Sequence, residues 1–380
     1  MRAIELSPLK VPLITVSILL VLSCAKVNAA TPNAKANAQK LASFTSEQIS
    51  TAVSDLGISI PDALFKYSVS LYRLNYPTID GYGKKVIASG VIAIPSKGIN
   101  MPSPLLSFQH GTIFQDKEAP SNDLNAGAPP AILASLGYIT VAADYVGYGQ
   151  SKGKAHPYLL KKPSARAVTD FIKHATHWLK QTNISLNKQL FLTGYSEGGY
   201  VTMAAHQALQ ARPIAGLNLT ASIPAAGPYH ISRTLKSFTS LSTNKQTIAS
   251  LADSGNDQKL SPIIVDWLTD KIMDQLIPDN SDVIFQDTII RDYVRNGSAG
   301  VAQHNVYAWQ ATAPTFLFHG RNDVTVPFFN ATDARDAMTA RGAPNVSLIE
   351  CTTTPADHEA CIPEYGKALI QLLENYAQDL

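Results

Sequence analysis

The chain has 380 residues, 45% of them apolar and 16% charged, with 31 Lys and Arg against 29 Asp and Glu. This composition describes a globular protein with room for one large domain or two ordinary ones, and it excludes a disordered chain. A formal charge of +2 without a basic stripe excludes a nucleic-acid surface, and the one basic cluster, LLKKPSAR, reads as a solvated loop.

At the N-terminus, Arg2 and Lys10 precede the apolar run VPLITVSILLVLS, and small residues follow it. This is the layout of a secretory signal, over residues 1–23, and the run is too short to span a bilayer comfortably. Two processing sites compete. LVLSC resembles a bacterial lipobox with Cys24 as the lipidated first residue, while VNA at 27–29 resembles an ordinary signal-peptidase site with cleavage after Ala29. A cysteine directly after the apolar run, with Ser23 before it, favours the lipobox. The expected location is outside the cytoplasm, as a membrane-anchored bacterial lipoprotein or a secreted or periplasmic protein. Five sequons, at Asn183, Asn218, Asn296, Asn330 and Asn345, matter only in a eukaryotic host, against which the lipobox argues.

Residues 24–43 are small and polar without apolar period and read as a flexible tether. FKYSVSLYRLNY and KKVIASGVIAIP then alternate and flank the turn DGYG, an antiparallel pair. Beyond them come PLLSFQ, GYITVAA, QLFLTG, TASIPAA, TFLFHG and VSLIEC, short apolar runs suited to strands buried on both faces of a parallel sheet. Helical segments separate the runs. Phe171, Ile172, Ala175, Trp178 and Leu179 form one apolar face from Val168 onward, and Leu369, Leu372, Leu373 and Tyr376 form another near the end. The alternation predicts an α/β fold, mostly parallel, with helices on both faces. Between Tyr229 and Gln310 no strand pattern is found, so 229–310 is expected to be a helical insertion into a core of 44–228 and 311–380.

The chemistry concentrates in three places. Gly194, Ser196 and Gly198 make Gly-x-Ser-x-Gly between an apolar run and a helix-like run, the context in which a strained turn exposes a nucleophilic serine. Asp323 follows TFLFHG, and His358 follows the next strand, so Ser, Asp and His come in chain order, each just beyond a strand. Asp333 lies farther into a helix, and Asp357 and Glu359 adjoin His358 too closely to orient its ring. His174, His177 and His206 fall on helices, where a satisfied or exposed side chain is expected, and His319 at a strand end reads as structural. For an oxyanion, the backbone N–H of Glu197 is one candidate donor and that of Thr112, after the third core strand in LLSFQHGTIF, is the other.

QHGT, ADYVGYGQS, GYSEGGY, PAAGPYHIS, FHGRNDVTVP and DHEAC resemble, in order and spacing, secreted α/β-hydrolases related to fungal secretory lipases of the Candida lipase A type and their bacterial esterase-like relatives. The resemblance spans roughly Tyr67 to Tyr376. It implies the α/β-hydrolase fold with a lid-like helical insertion, and ester hydrolysis with Ser196 as nucleophile, His358 as base and Asp323 as acid. Asp144 would shape a loop near the site. Where relatives often have Asp after GPY, this chain has His230, a departure at the start of the insertion.

The expected activity is that of a carboxylic ester hydrolase, an esterase or lipase, acting through an acyl-enzyme on a small-molecule or lipid ester, with no cofactor or metal called for. Two other readings stay open: a serine peptidase or acyltransferase with the same triad, and a surface protein that uses the fold only for binding. Lipidated Cys24 would attach the protein to a membrane. Cys351 and Cys361 flank His358, and in an oxidising compartment they are expected to form a disulfide that holds its loop, the alternative being two free buried thiols.

Overall fold

The computed structural model describes residues 38–58, 60–98, 101–240 and 261–380. The export signal, Cys24 and most of the tether lie outside these residues. Strands are β1 (Gln39–Phe44), β2 (Val69–Ile79), β3 (Lys85–Pro95), β4 (Ser103–Gln109), β5 (Ile139–Ala143), β6 (Leu186–Tyr195), β7 (Asn218–Ala225), β8 (Thr315–His319) and β9 (Val346–Glu350). The helices used below are α1 (Ser46–Asp55), α2 (Pro129–Ser135), α3 (Lys161–Gln181), α4 (Glu197–Ala211), α5 (Ile231–Ser240), α6 (Pro262–Leu276), α7 (Thr288–Val301), α8 (Phe329–Ala340) and α9 (Ile362–Tyr376).

The strands form one nine-stranded sheet in the order β1-β2-β3-β5-β4-β6-β7-β8-β9. β2 and β3 pair antiparallel along their whole length, from Val69 opposite Pro95 to Ile79 opposite Lys85, as the alternating pattern around DGYG predicts. From β5 onward every pairing is parallel. β4, β5 and the C-terminal halves of β6 and β7 are buried on both faces, which is why their sequences are unbroken apolar runs rather than alternating ones, whereas β9 at the edge is only half-buried. Phe171, Ile172, Ala175 and Leu179 of α3 pack on one face beside α4, with Phe171 5.0 Å from the Tyr76 ring, while α1, α2 and α9 cover the other.

Three expectations need correction. Strand β1 begins inside the segment read as a tether: Leu41, Ala42 and Phe44 pack toward the core, and a register shift between Lys40 and Ala42 had blurred the period-2 signal. LLKKPSAR is not a loop but the start of α3, since Pro163 sits in the first turn, where its missing N–H costs nothing. Because β1 adds a strand to the count, the insertion follows the seventh strand, β7, and not the sixth as the sequence pattern suggests. Its described part is helical (α5, α6, α7), but it also carries an isolated β-bridge between His156 and Phe285. Among the described residues no helix is long and apolar enough to cross a membrane.

Candidate active site

β6 ends at Tyr195 and α4 starts at Glu197, so a single residue, Ser196, makes the whole turn. Its φ of 58° and ψ of −123° lie in a region that L-residues rarely occupy, and its N–H donates to Ala225 O at 3.0 Å. The glycines around it are a steric requirement. A Cβ on Gly198 would sit 2.0 Å from Gln109 O, and one on Gly194 would sit 2.5 Å from Gly198 O. Any side chain at either position would push the start of α4 off the sheet and withdraw the serine.

The three residues singled out by chain order come together here. His358 Nε2 is 2.9 Å from Ser196 Oγ, and His358 Nδ1 is 2.6 Å from Asp323 Oδ2, although Ser196 and His358 are 162 positions apart. The Asp323 side chain is buried and its Oδ1 accepts the Val326 N–H at 2.7 Å. Burial by itself would raise its pKa. Hydrogen bonds from His319 and His358, the charge of His358 and the Val326 N–H outweigh that and hold the carboxyl at about 2. With Asp323 ionised, Nδ1–H of His358 donates to it and Nε2 faces Ser196 as acceptor, the tautomer a general base requires.

His319 does more than expected. Its Nε2 lies 2.8 Å from Val326 O, so it carries the proton there, and the same N–H reaches Asp323 Oδ2 at 3.2 Å. A histidine four residues before the acid gives no periodic signal, because the contact depends on the tight turn after β8.

The His358 loop runs between Cys351 and Cys361, which form a disulfide with Cα atoms 5.9 Å apart. Tyr195 Oη donates to His358 O at 2.7 Å, and Asp357 Oδ1 accepts the N–H of Ala360 at 2.8 Å, so Asp357 caps this loop instead of orienting the imidazole. Asp333, the other acid weighed from sequence, is engaged elsewhere: it pairs with His230 Nδ1 at 2.7 Å and Arg233 at 2.6 Å. His230, the departure from the resembled pattern, thereby fastens the start of α5 to α8.

On the opposite side, the loop after β4 passes beside the serine, since a Cβ on Gly111 would lie 3.7 Å from Ser196 Cβ. Thr112 N–H finds no acceptor among the described residues, and Glu197 opens α4, where the first N–H groups lack intrahelical partners. Both are thus available to a developing oxyanion. Asp144 is fully buried and binds Ser89 Oγ, Ser121 Oγ and Ser121 N at 2.5, 2.6 and 2.8 Å, tying β3 to the loop after β4; burial raises its pKa against those bonds. His206 is neither satisfied nor exposed. It is buried with neither ring nitrogen hydrogen-bonded, edge-on to Trp309 at 4.6 Å, and desolvation lowers its pKa to about 3. Asn330 is buried too, its amide bound to His230 N, Thr234 Oγ1 and Pro327 O, so its sequon is closed to modification in the fold. Among the described residues no cluster of His, Cys, Asp or Glu has metal-binding geometry.

The fold has solved counterparts. The chain is 25% identical to a putative hydrolase from Legionella pneumophila, with a TM-score of 0.68 over 90% of this chain and 97% of that one. It is also 25% identical to LipA of Xanthomonas oryzae, a rice cell wall degrading esterase, with a TM-score of 0.67 and the same coverage. Candida antarctica lipase A in its closed state shares 17% identity and a TM-score of 0.52 over 84% of this chain and 77% of that one, which shows the common fold alone. No curated protein matches the chain. The family model described as serine aminopeptidase, S33 (Hydrolase_4) matches residues 130–348, from α2 to β9, a span that holds Ser196 and Asp323 and stops short of His358. Matched over more than half of its length and built on the α/β-hydrolase fold, the chain belongs to this hydrolase family.

Proposed function

We propose that the protein is a carboxylic ester hydrolase, an esterase or lipase, working through Ser196, His358 and Asp323. The observation that carries this reading is the unbroken line from Ser196 Oγ through the imidazole of His358 to a buried, ionised Asp323. His358 takes the Ser196 proton as Oγ attacks the ester carbonyl. Asp323 holds the tautomer and balances the imidazolium, and the N–H groups of Thr112 and Glu197 stabilise the oxyanion. His358 then protonates the leaving alcohol, and water hydrolyses the acyl-enzyme by the same route in reverse roles. The esterase LipA among the similar structures supports an ester over other acyl substrates.

The family description favours a second reading, cleavage of an N-terminal peptide bond by the same residues. A panel of p-nitrophenyl esters from short to long acyl chains, run beside aminoacyl p-nitroanilides, separates the two. The expected result is ester turnover lost by about 10⁶-fold in Ser196→Ala, with little amide turnover. Amide turnover that exceeds ester turnover would overturn the ester reading, and no Ser196-dependent turnover of either would leave the fold to a binding role.

We further propose that the protein is exported and acylated at Cys24. The charged residues, apolar run and LVLSC of its N-terminus support this.

A further inference from the structure

Both residues proposed to stabilise the oxyanion are held by one short stretch of chain, 156–158. His156 Nε2 lies 2.8 Å from Glu197 Oε1, with both side chains buried. His156 Nδ1 lies 2.9 Å from Val146 O and donates to it, so it is Nε2 that faces the Glu197 side chain. Two positions on, the Tyr158 hydroxyl is 3.0 Å from Thr112 Oγ1. Pro157 separates the two and limits how they move relative to each other.

This stretch is itself strapped down by the insertion. His156 N donates to Ile284 O at 2.7 Å and Gln286 N donates to His156 O at 2.8 Å. The Phe285 ring stands 5.6 Å from His156, 5.7 Å from Tyr158 and 5.7 Å from Phe114. The strap also grips the Thr112 loop directly, because Asp282 N and Ser281 Oγ donate to Phe114 O at 3.1 and 3.0 Å, and Asp116 N donates to Asp282 Oδ1 at 2.7 Å.

We infer that His156 and Tyr158 are positioning residues for the oxyanion hole, and that segment 281–286 of the insertion holds them in place. The inference rests on the ester-hydrolase reading above. Neither side chain needs to touch substrate. His156 acts by fixing the Glu197 side chain, and with it the first residue of α4, and Tyr158 acts by fixing the loop that presents Thr112 N–H. Donors of this kind stabilise a transition state only when aimed at where the negative charge develops, and displacements of about 1 Å are expensive in rate.

Tyr158→Phe removes one hydroxyl and keeps the ring packing against Phe285; Glu197→Met keeps the backbone N–H and about the same side-chain length while removing the hydrogen-bond partner of His156. For each, kcat, KM and melting temperature are measured on a p-nitrophenyl ester, together with the affinity of a trifluoromethyl ketone, which forms a tetrahedral adduct with the serine, and of a non-reactive ether analogue of the substrate. The expected result is a kcat lowered by about 10- to 100-fold, a ketone affinity lowered by a similar factor, and KM, ether affinity and melting temperature close to wild type. Unchanged kcat and ketone affinity in both variants would overturn the inference. So would equal losses of ketone and ether affinity with a lowered melting temperature, which mark a purely structural role. Wild-type protein without Ser196-dependent turnover would overturn the ester-hydrolase reading and this one with it, whereas Ser196-dependent turnover with unaffected variants overturns this one alone.

Discussion

Asp323 collects three donors on one carboxylate: His358 Nδ1, His319 Nε2 and Val326 N. Their combined effect exceeds the penalty of burial and holds its pKa at about 2, below the roughly 3.9 of an unfolded aspartate. A depressed carboxyl pKa adds stability above the unfolded value, and that stability is lost as pH falls through about 4 toward 2. Asp323→Asn is therefore expected to unfold with a weaker acid dependence: the stability gap to wild type, measured by urea at pH 6 and pH 2.5, should shrink by on the order of 2 kcal/mol. The same variant is expected to lose about 10⁴-fold in kcat, because an amide can donate to Nδ1 and select the wrong imidazole tautomer. A kcat within a few-fold of wild type would move the acid elsewhere. Of this residue's surroundings, chain order pointed to the pairing of Asp323 with His358, which the 2.6 Å contact between them matches. The sequence did not show the bond from His319, which arises only when the turn after β8 folds the histidine back over Asp323.

The loop between β9 and α9 shows the same division at the level of an element. Two cysteines around His358 suggested a disulfide clasp, and the bond is present. Yet it does not hold the loop alone. Glu364 in the first turn of α9 accepts the N–H groups of Thr352 and Thr353 at 2.9 and 3.0 Å, Asn322 N donates to Ala356 O at 3.0 Å, and Tyr195 Oη holds His358 O at 2.7 Å. Closing a loop of this length contributes about 2.7 kcal/mol in the chain-entropy model. Replacing both cysteines by alanine is thus expected to lower stability by about 2 to 3 kcal/mol in urea while leaving kcat within a few-fold of the parent. A kcat loss larger than tenfold without further destabilisation would restore the disulfide as the main positioning device. Glu364 had no visible role in the sequence, since a carboxylate at the start of a helix is common and its targets lie 11 and 12 positions back.

For the whole molecule, the export proposal concerns the chain ahead of the described residues. Mass spectrometry of the mature protein from a bacterial host is expected to find diacylglyceryl-Cys24 at the N-terminus, and a free Ala30 would overturn the lipoprotein form. What lay in the sequence by itself was the alternation of apolar runs and amphipathic helices, the glycine-bounded Ser196, and the order of Ser196, Asp323 and His358 along the chain. These are legible because burial on two sheet faces, a helical period and a strained turn each constrain neighbouring residues, and neighbouring residues are what a sequence displays. The edge strand β1 was lost to a local register shift and a polar composition. The contacts that aim the chemistry, His156 with Glu197 across 41 positions and Tyr158 with Thr112 across 46, were decided by the tertiary structure alone. They depend on parallel strands delivering distant loops to one edge of the sheet, and on the insertion strapping those loops together; neither leaves a periodic trace, because the partners are joined in space and not along the chain.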